Sequence, residues 1–397
     1  MSFYKKGQKA IIESLYGSEY DDILNGCEKF VRKEIAPSAE KIDKEKISPG
    51  ENLEKLAELG MIASHFPEKY GSLELPYLVH TAMLEMVSEA CASTGVSMSI
   101  HNTVCEGLHL YGTEKQKDKY LTNLVTSGEI GSFCLTEPDS GTNILHDMKT
   151  TAKKDGKHYV LNGAKTFITN VGLSTLYVVF AKLDDEASIF LVEKGNKGME
   201  FGKPFDKDTV RGSVTCEMFF DDCKIPEENM LGKKGHGAKG VMEMLNKGRV
   251  GIATLAVGIA QASLDKSLHY VKKRVVKGRP LSSFQLIQEK IANMTCKVDT
   301  ARLITYQAAI ASAKNDDYFD LLANECKWYA SEAALECGLE SRRIHAAYGC
   351  MMESNVERHL RDAWVTIIGE GTPEILKQTI SRLKLKEHEK DPGLEFW

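Results

Sequence analysis

Residues 132–142 read Ser-Phe-Cys-Leu-Thr-Glu-Pro-Asp-Ser-Gly-Thr, an apolar run that stops at a proline and several turn-forming residues. Proline has no backbone N–H, and Asp, Ser and Gly favour turns, so this stretch predicts the end of a β-strand. It also marks a change of periodicity along the chain. Apolar residues before it recur at helical spacing, whereas short β-rich runs follow it. The stretch therefore predicts where a helical region gives way to a β domain.

The region from 20 to 130 is predicted to form one helix after another. One apolar face of its first helix comprises Ile23, Leu24, Cys27, Phe30, Val31 and Ile35. Gly60 is placed to end a later helix, and Thr113 is placed to cap the start of another. The helical period returns after Gly240 and continues to about residue 383. Small residues along Val241–Arg274 would let neighbouring helices approach closely.

Between 131 and about 226 the sequence predicts a small antiparallel β domain rather than alternating strands and helices. The β-rich runs are His158–Leu161, Thr166–Thr169, Leu176–Ala181, Ser188–Val192 and Cys216–Phe220. Turn-forming residues such as Asn162-Gly163 are expected to separate them. We therefore expect an N-terminal helical domain at 1–130, a middle β domain at 131–238 and a C-terminal helical domain at 239–397.

Composition excludes several classes of function. The 397 residues include 56 acidic and 51 basic side chains with no long basic run, which argues against nucleic-acid binding. Ten cysteines form no CxxC pair, so we expect free thiols and no metal site. Met1–Ile12 does not resemble a signal peptide, and Val250–Ala262 is too short for membrane insertion. These features predict a cytoplasmic protein.

Four segments stand out: residues 132–142, Lys165-Thr-Phe-Ile-Thr-Asn170, the stretch from Tyr270 to Gln285, and the stretch from Arg358 to Gly369-Glu-Gly-Thr-Pro-Glu374. Together they resemble the acyl-CoA dehydrogenase family. The resemblance extends over roughly Tyr20 to Leu383. It implies a mostly α fold with a β-barrel-like middle domain and a four-helix-type C-terminal domain. It also implies FAD-dependent oxidation of an acyl-CoA thioester to the 2-enoyl-CoA.

The resemblance makes Glu370 the catalytic base, which removes the α proton while the β hydrogen leaves as hydride to FAD. Gly369 and Gly371 on either side would let the substrate approach the backbone closely. A free glutamate, with a pKa of about 4.3, is a weak base, so displacement of water should raise its basicity. Without the surrounding segment, a solvated loop glutamate would be the default interpretation.

Other site positions also follow from the resemblance. The implied substrate-binding residues are Thr142, Arg249 and Gly371. The implied cofactor-binding residues are Phe133, Leu135, Thr136, Thr142, Phe167, Thr169, Arg274, Gln285, Ala347, Thr372 and Glu374. Arg274 and Gln285 are expected to reach FAD from a neighbouring subunit, and a guanidinium fork suits phosphate. Taken alone, Thr136 could be only a strand terminus, and Phe167 only a core aromatic.

Five positions depart from the family pattern. Arg343 and Ala346-Ala347 replace a usual glutamine and glycine pair near the FAD adenosine, Lys277 replaces a phenylalanine, and Gly369 replaces a tyrosine beside the base. Two segments, Gly248-Arg-Val-Gly-Ile-Ala253 and Ser99-Ile-His-Asn102, most resemble the short-chain branch of the family, which favours a small acyl group. The missing tyrosine favours a broad pocket, able to take branched or cyclic acyl groups as well as butyryl. Trp364 or Ile368 could instead fill that space. No arginine for a distal carboxylate occurs in Ala92–Val96, which disfavours a glutaryl substrate.

The resemblance also implies partners. We expect a homotetramer and reoxidation by electron-transfer flavoprotein, with an acyl-CoA as substrate. Two alternatives are an acyl-CoA oxidase and a non-catalytic flavoprotein of the same fold. The acidic charge balance and the retained Glu370 argue against the second.

Overall fold

A computed structural model describes residues 3–389, and within this range helices form the N-terminal and C-terminal parts with a sheet between them. The helices are α1 Lys6–Tyr16, α2 Asp21–Phe30, α3 Ala36–Glu45, α4 Gly50–Glu58, α5 Tyr77–Ala90, α6 Ala92–Tyr111, α7 Glu114–Gln116, α8 Thr122–Thr126, α9 Ile144–Asp147, α10 Gly237–Lys273, α11 Gln285–Ala313, α12 Phe319–His345, α13 Val356–Ile368 and α14 Pro373–Glu389. The strands are β1 Gly131–Cys134, β2 Thr151–Asp155, β3 His158–Thr169, β4 Leu176–Leu183, β5 Glu186–Glu193, β6 Met199–Phe201, β7 Thr215–Pro226, β8 Met230–Leu231, β9 Val275–Val276 and β10 Arg279–Pro280. The mostly helical fold with a middle sheet is confirmed.

The predicted helix signals act as expected. Gly60 adopts φ +65° just after α4, and the Thr113 side chain accepts a hydrogen bond from the Gln116 backbone N–H at the start of α7. Two π-helical turns, Val31–Ile35 and Lys117–Leu121, interrupt the regular helical geometry. None of the helices in the described range is both long enough and apolar enough to cross a membrane.

The middle sheet has mixed strand directions, so the prediction of a wholly antiparallel domain was wrong. Its order is β6-β7-β3-β2-β4-β5-β8, and β1 and β2 both pair with β4 in the parallel sense. Parallel neighbours need a long connection between them. The chain supplies one for β1 and β4, because α9, β2 and β3 intervene between the two strands.

The prediction that Asn162-Gly163 separates two strands was also wrong. β3 is continuous through this pair, and its register against β7 shifts between Leu161 and Gly163 and again between Lys165 and Ile168. Such bulges bend a strand without ending it. Gly163 has φ +144°, and a Cβ there would lie 2.7 Å from the Thr150 Cα. The glycine therefore permits a close backbone approach rather than a turn.

Small residues let α10 pack closely against its neighbours, as predicted. A Cβ on Gly258 would lie 2.8 Å from the backbone oxygen of Glu85 in α5. A Cβ on Gly251 would lie 2.2 Å from the Ser99 hydroxyl of α6. Because nothing larger than hydrogen fits at these points, α10 is held at a fixed distance from both helices.

A buried ion pair joins the same layers. The Arg302 side chain of α11 is 2 % exposed and donates to Glu85 of α5 at 3.0 Å and to Gln261 of α10 at 2.6 Å. Tyr306 donates to the second Glu85 oxygen at 2.8 Å. Each partner thus compensates a charge or dipole that would be costly to bury alone.

We expect Arg302→Met to lower the free energy of unfolding by about 3–5 kcal/mol, because it leaves the Glu85 carboxylate buried without its cation. The matched control is Lys297→Met on the same helix, whose ion pair with Glu336 is at the surface. That change should cost at most about 1 kcal/mol. Urea unfolding of both variants measures the difference, and equal losses would contradict a special role for the buried pair.

Candidate active site

The segment between α13 and α14 places Glu370 in a conformation that glutamate rarely adopts. Glu370 has φ +58° and the following Gly371 has φ +110°. The left-handed region costs a residue with a Cβ about 1–2 kcal/mol. Such a conformation persists only where surrounding contacts enforce it. The backbone here is therefore held in place by its neighbours.

The Glu370 side chain points at α10. A Cβ on Gly248 would lie 2.8 Å from Glu370 Oε1 and 3.1 Å from Oε2, so glycine at 248 leaves the space that the carboxylate occupies. Although the residue as a whole is half-buried, Oε2 is enclosed and makes no hydrogen bond within residues 3–389. An enclosed carboxylate oxygen without a donor is unusual, and it is free to accept a proton.

Arg249 holds the backbone of the same residue. Its side chain is 5 % exposed, and Nε donates to the Glu370 carbonyl oxygen at 3.2 Å. Nη1 donates to Asn246 Oδ1 at 2.6 Å, and Asn246 in turn donates to Asp320 at 2.7 Å. This chain of hydrogen bonds fixes the guanidinium, which contacts the Glu370 backbone while its charge remains close to the carboxylate.

Burial dominates the electrostatics of Glu370. Removal of the carboxyl group from water raises its pKa to about 7, while the positive charges of Arg249 and Lys327 act in the opposite direction. A group with this pKa can accept and release a proton near neutral pH, which is what general acid–base chemistry requires.

The end of β1 is fixed by a second buried charge pair. The Lys165 side chain is fully buried and donates to the Leu135 carbonyl oxygen at 3.0 Å and to Glu137 at 2.8 Å. Glu137 also accepts from the backbone N–H groups of Lys149 and Thr150. The strand end at Leu135 and Thr136 is therefore rigid. Phe133 is partly buried, and Leu135 is 6 % exposed.

Phe167 is an exposed aromatic ring on a strained backbone. It has φ +56°, its side chain is 66 % exposed, and its ring lies 5.4 Å from that of Phe205. Thr169, two residues on, is partly buried, and Thr142 is exposed in a turn. The interpretation of Phe167 as a core aromatic was wrong, because the positive φ turns the ring out of the sheet.

Arg274 lies far from Arg249, and so from Glu370, within one chain. Arg274 follows the end of α10, roughly 36 Å along the helix from Arg249 at 1.5 Å per residue. Arg274, Gln285, Ala347 and Glu374 are exposed. The Arg274 guanidinium forms no hydrogen bond or ion pair with the part of the chain that the structure describes. Gly371 and Thr372 are partly buried beside the glutamate.

Two of the positions that depart from the family pattern, Lys277 and Ala346, have a positive φ. Lys277 and Gly278, with φ +51° and +76°, form the two-residue turn between β9 and β10. Ala346 has φ +51° and ψ −127° at the end of α12, a region of backbone space that favours glycine. Alanine therefore carries strain at 346.

Sequence reasoning missed Gly248, Asn246 and Lys327. The Lys327 signal was available, since this lysine continues the apolar stripe of Ala323, Ala330 and Ala334 along α12. The other two are ordinary residues on a long helix, and no pattern distinguishes them. Within residues 3–389 no group of three His, Cys, Asp or Glu side chains could hold a metal ion.

Comparison with known proteins gives one family. Residues 17–129 match the acyl-CoA dehydrogenase N-terminal domain, 132–223 the middle domain and 235–385 the C-terminal domain. The chain is 38% identical to the short-chain specific acyl-CoA dehydrogenase, mitochondrial, of Homo sapiens. The aligned stretch of 372 residues covers 92% of this chain and 90% of that protein.

Solved structures with a similar fold include a member of the same family. Butyryl-CoA dehydrogenase from Megasphaera elsdenii is 34% identical, with a TM-score of 0.90 over 96% of this chain and 98% of that one. A structure described as "Electron transferring flavoprotein of Acidaminococcus fermentans" is 35% identical, with the same TM-score and the same two shares.

We expect Ala346→Gly to raise the melting temperature, because glycine relieves strain worth about 1–3 kcal/mol. Ala347→Gly is the matched control, since Ala347 has no positive φ and glycine there only adds flexibility to the unfolded chain. Differential scanning calorimetry compares the two variants. An equal or larger rise for Ala347→Gly would contradict the assignment of strain to Ala346.

Proposed function

Because the chain belongs to the acyl-CoA dehydrogenase family, we propose that Glu370 is the base that removes the α proton of its thioester substrate. The protein is an FAD-dependent acyl-CoA dehydrogenase, an oxidoreductase of fatty acid metabolism. The observation that carries the proposal is the enclosed, unpaired Oε2 of Glu370 against Gly248. A carboxylate in this state is desolvated before substrate binds.

The backbone around Glu370 supports the same role. The Glu370 carbonyl oxygen accepts a hydrogen bond from Arg249 Nε. The Glu370 N–H, by contrast, donates to no residue between 3 and 389. A free N–H beside the base can donate to the thioester oxygen as negative charge develops there during proton removal. The glutamate would thus act twice, with its side chain as base and its N–H as donor.

The residues present fit FAD. An exposed Phe167 ring suits the face of a flat heterocycle, and the unpaired Arg274 guanidinium suits a pyrophosphate. The rigid strand end at Leu135 and Thr136 would hold the flavin edge, together with Phe133 on β1 and Thr169, whose carbonyl oxygen accepts a hydrogen bond from the Ser132 hydroxyl of β1 at 2.7 Å. The rest of the cofactor or the coenzyme A would be held by Gln285, Ala347, Thr372, Glu374 and the exposed Thr142. When bound, FAD accepts the β hydrogen as a hydride.

For the substrate, we propose a short, branched or cyclic acyl chain. Apart from its chain neighbours Ile368 and Glu370, a Cβ on Gly369 would meet only the Val365 carbonyl oxygen, at 3.2 Å, and no atom of Trp364 within 4 Å. The Trp364 and Ile368 side chains are 48% and 54% exposed, so neither is packed into the interior of the chain. The names of two relatives, one short-chain specific and one a butyryl-CoA dehydrogenase, favour a small acyl group.

For assembly and electron transfer, we propose a homotetramer that passes electrons to electron-transfer flavoprotein. The exposed Arg274 and Gln285 lie too far along the helical domain to reach FAD beside Glu370 of their own chain, so a neighbouring subunit would use them. An acyl-CoA oxidase would instead produce peroxide in step with substrate when no acceptor is added.

Glu370→Gln should retain FAD and thioester binding but lose flavin reduction by about 10²–10⁴-fold, because an amide cannot accept the α proton. Anaerobic bleaching of the flavin absorbance by butyryl-CoA measures the rate directly. The matched control is Glu325→Gln on α12, whose carboxyl pKa is also raised by burial. Rapid bleaching in Glu370→Gln would overturn the assignment of the base.

The proposed pocket predicts the order of specificity constants. Butyryl-, isobutyryl- and cyclohexanoyl-CoA should have kcat/KM values within about tenfold of one another, since the space beside Gly369 is open, whereas octanoyl-CoA should be poorer. A steady-state assay with an artificial electron acceptor compares the four. A preference for octanoyl-CoA would rule out a short pocket, and strict selectivity for butyryl-CoA would rule out a broad one.

A further inference from the structure

Lys327 is a buried lysine that contacts the chain on both sides of Glu370. Its side chain is fully buried on α12, and Nζ donates to the Ile367 carbonyl oxygen at 2.9 Å and to the Gly371 carbonyl oxygen at 2.5 Å. The two acceptors flank residues 368–370. Both contacts are to backbone, and within residues 3–389 the ammonium forms no ion pair at 4 Å or less.

We propose that Lys327 is a positioning residue for the dehydrogenation, because its ammonium clamps the backbone on either side of Glu370 and so fixes where the carboxylate lies. The inference rests on the proposed role of Glu370 as the base. Lys327 touches neither substrate nor cofactor in this account and acts only through Glu370.

Two physical reasons support the clamp. The Ile367 carbonyl belongs to the last turn of α13, where carbonyls lack helical partners and the helix dipole favours a cation. The positive φ of Glu370 is a strained conformation that its own sequence does not favour. A buried donor that holds both Ile367 and Gly371 supplies the constraint that keeps this strained residue in one place.

The charges around Lys327 also support its role beside Glu370. Four charged groups act on the ammonium: Glu370, Glu374 from α14, Glu332 from α12 itself and Arg249 from α10. Burial lowers the pKa of Lys327 to about 7, and the Glu370 carboxylate opposes that shift. In turn the ammonium favours the ionised form of Glu370. Wherever Lys327 is protonated, the clamp therefore also lowers the pKa of the base.

The test uses Lys327→Met, which keeps an unbranched side chain one atom shorter than lysine and removes both hydrogen bonds and the charge. We expect FAD content and KM for butyryl-CoA to stay near wild type while kcat decreases on the order of 10²-fold, as for a misplaced catalytic group. The matched control is Ser331→Ala, one turn along α12, where Ser331 Oγ lies 2.7 Å from the Thr366 carbonyl oxygen. This variant loses a contact with α13 but no charge, and should keep kcat.

The pH profile separates positioning from general damage. In wild type kcat/KM should rise with pH through about 7, as the carboxyl group of Glu370 ionises. In Lys327→Met the acidic limb should move up by at least about half a unit, because a nearby positive charge is lost. Lys327→Arg keeps the charge and should leave the limb in place with kcat partly restored. An unmoved limb in Lys327→Met, or normal kcat in it, would overturn the proposal.

Failure of this inference can be told apart from failure of the proposed base. If Glu370→Gln is inactive and Lys327→Met is normal, only the clamp is wrong. If Glu370→Gln reduces flavin rapidly, the base is wrong whatever Lys327 does. Should Lys327→Met not accumulate as folded protein, Lys327→Arg and Ser331→Ala still decide, because equal kcat losses in the two would show a structural effect and overturn the clamp.

Discussion

The Glu370 carboxylate lies against the backbone of α10 at Gly248, where any side chain would take the space that it occupies. This close approach excludes water, and exclusion of water raises the pKa of the carboxyl group towards neutral. Glu370 itself has a positive φ of +58°. The contacts made by Arg249 and the buried Lys327 then serve a common purpose, since both hold a backbone that would otherwise relax away from the helix.

Buried cations recur where separate elements meet. Arg302 joins α5, α10 and α11, and Lys165 fixes the end of β1. In an interior of low dielectric such groups are costly unless every donor has a partner, so their geometry is specific. Apolar packing alone tolerates small shifts of one helix against another. Directional contacts of this kind define where a strand end or a catalytic loop lies, and precise placement is what the chemistry needs.

Particular residues show how far local signals reach. Thr113 and Gly60 delimit helices as their residue types predict, because capping and positive φ are local properties. Asn162-Gly163 carries a turn signal but lies inside a continuous strand, because β7 pairs with the chain on both sides of it. Parallel pairing of β1 with β4 was equally invisible, since partners that are distant in sequence leave no local pattern. Ala346 gave no sign of its strained backbone, which follows from how α12 ends.

The sequence by itself determined the order of helical and β regions, the family, and the segment that contains Glu370, because periodicity, turn residues and motifs are written along the chain. Tertiary structure alone decided the state of that glutamate. Its enclosed oxygen, its contact with Gly248 and its two cations come from residues 43 to 122 positions away on other helices. Burial and charge interactions depend on distances in space, and the spacing of residues along the sequence does not encode those distances.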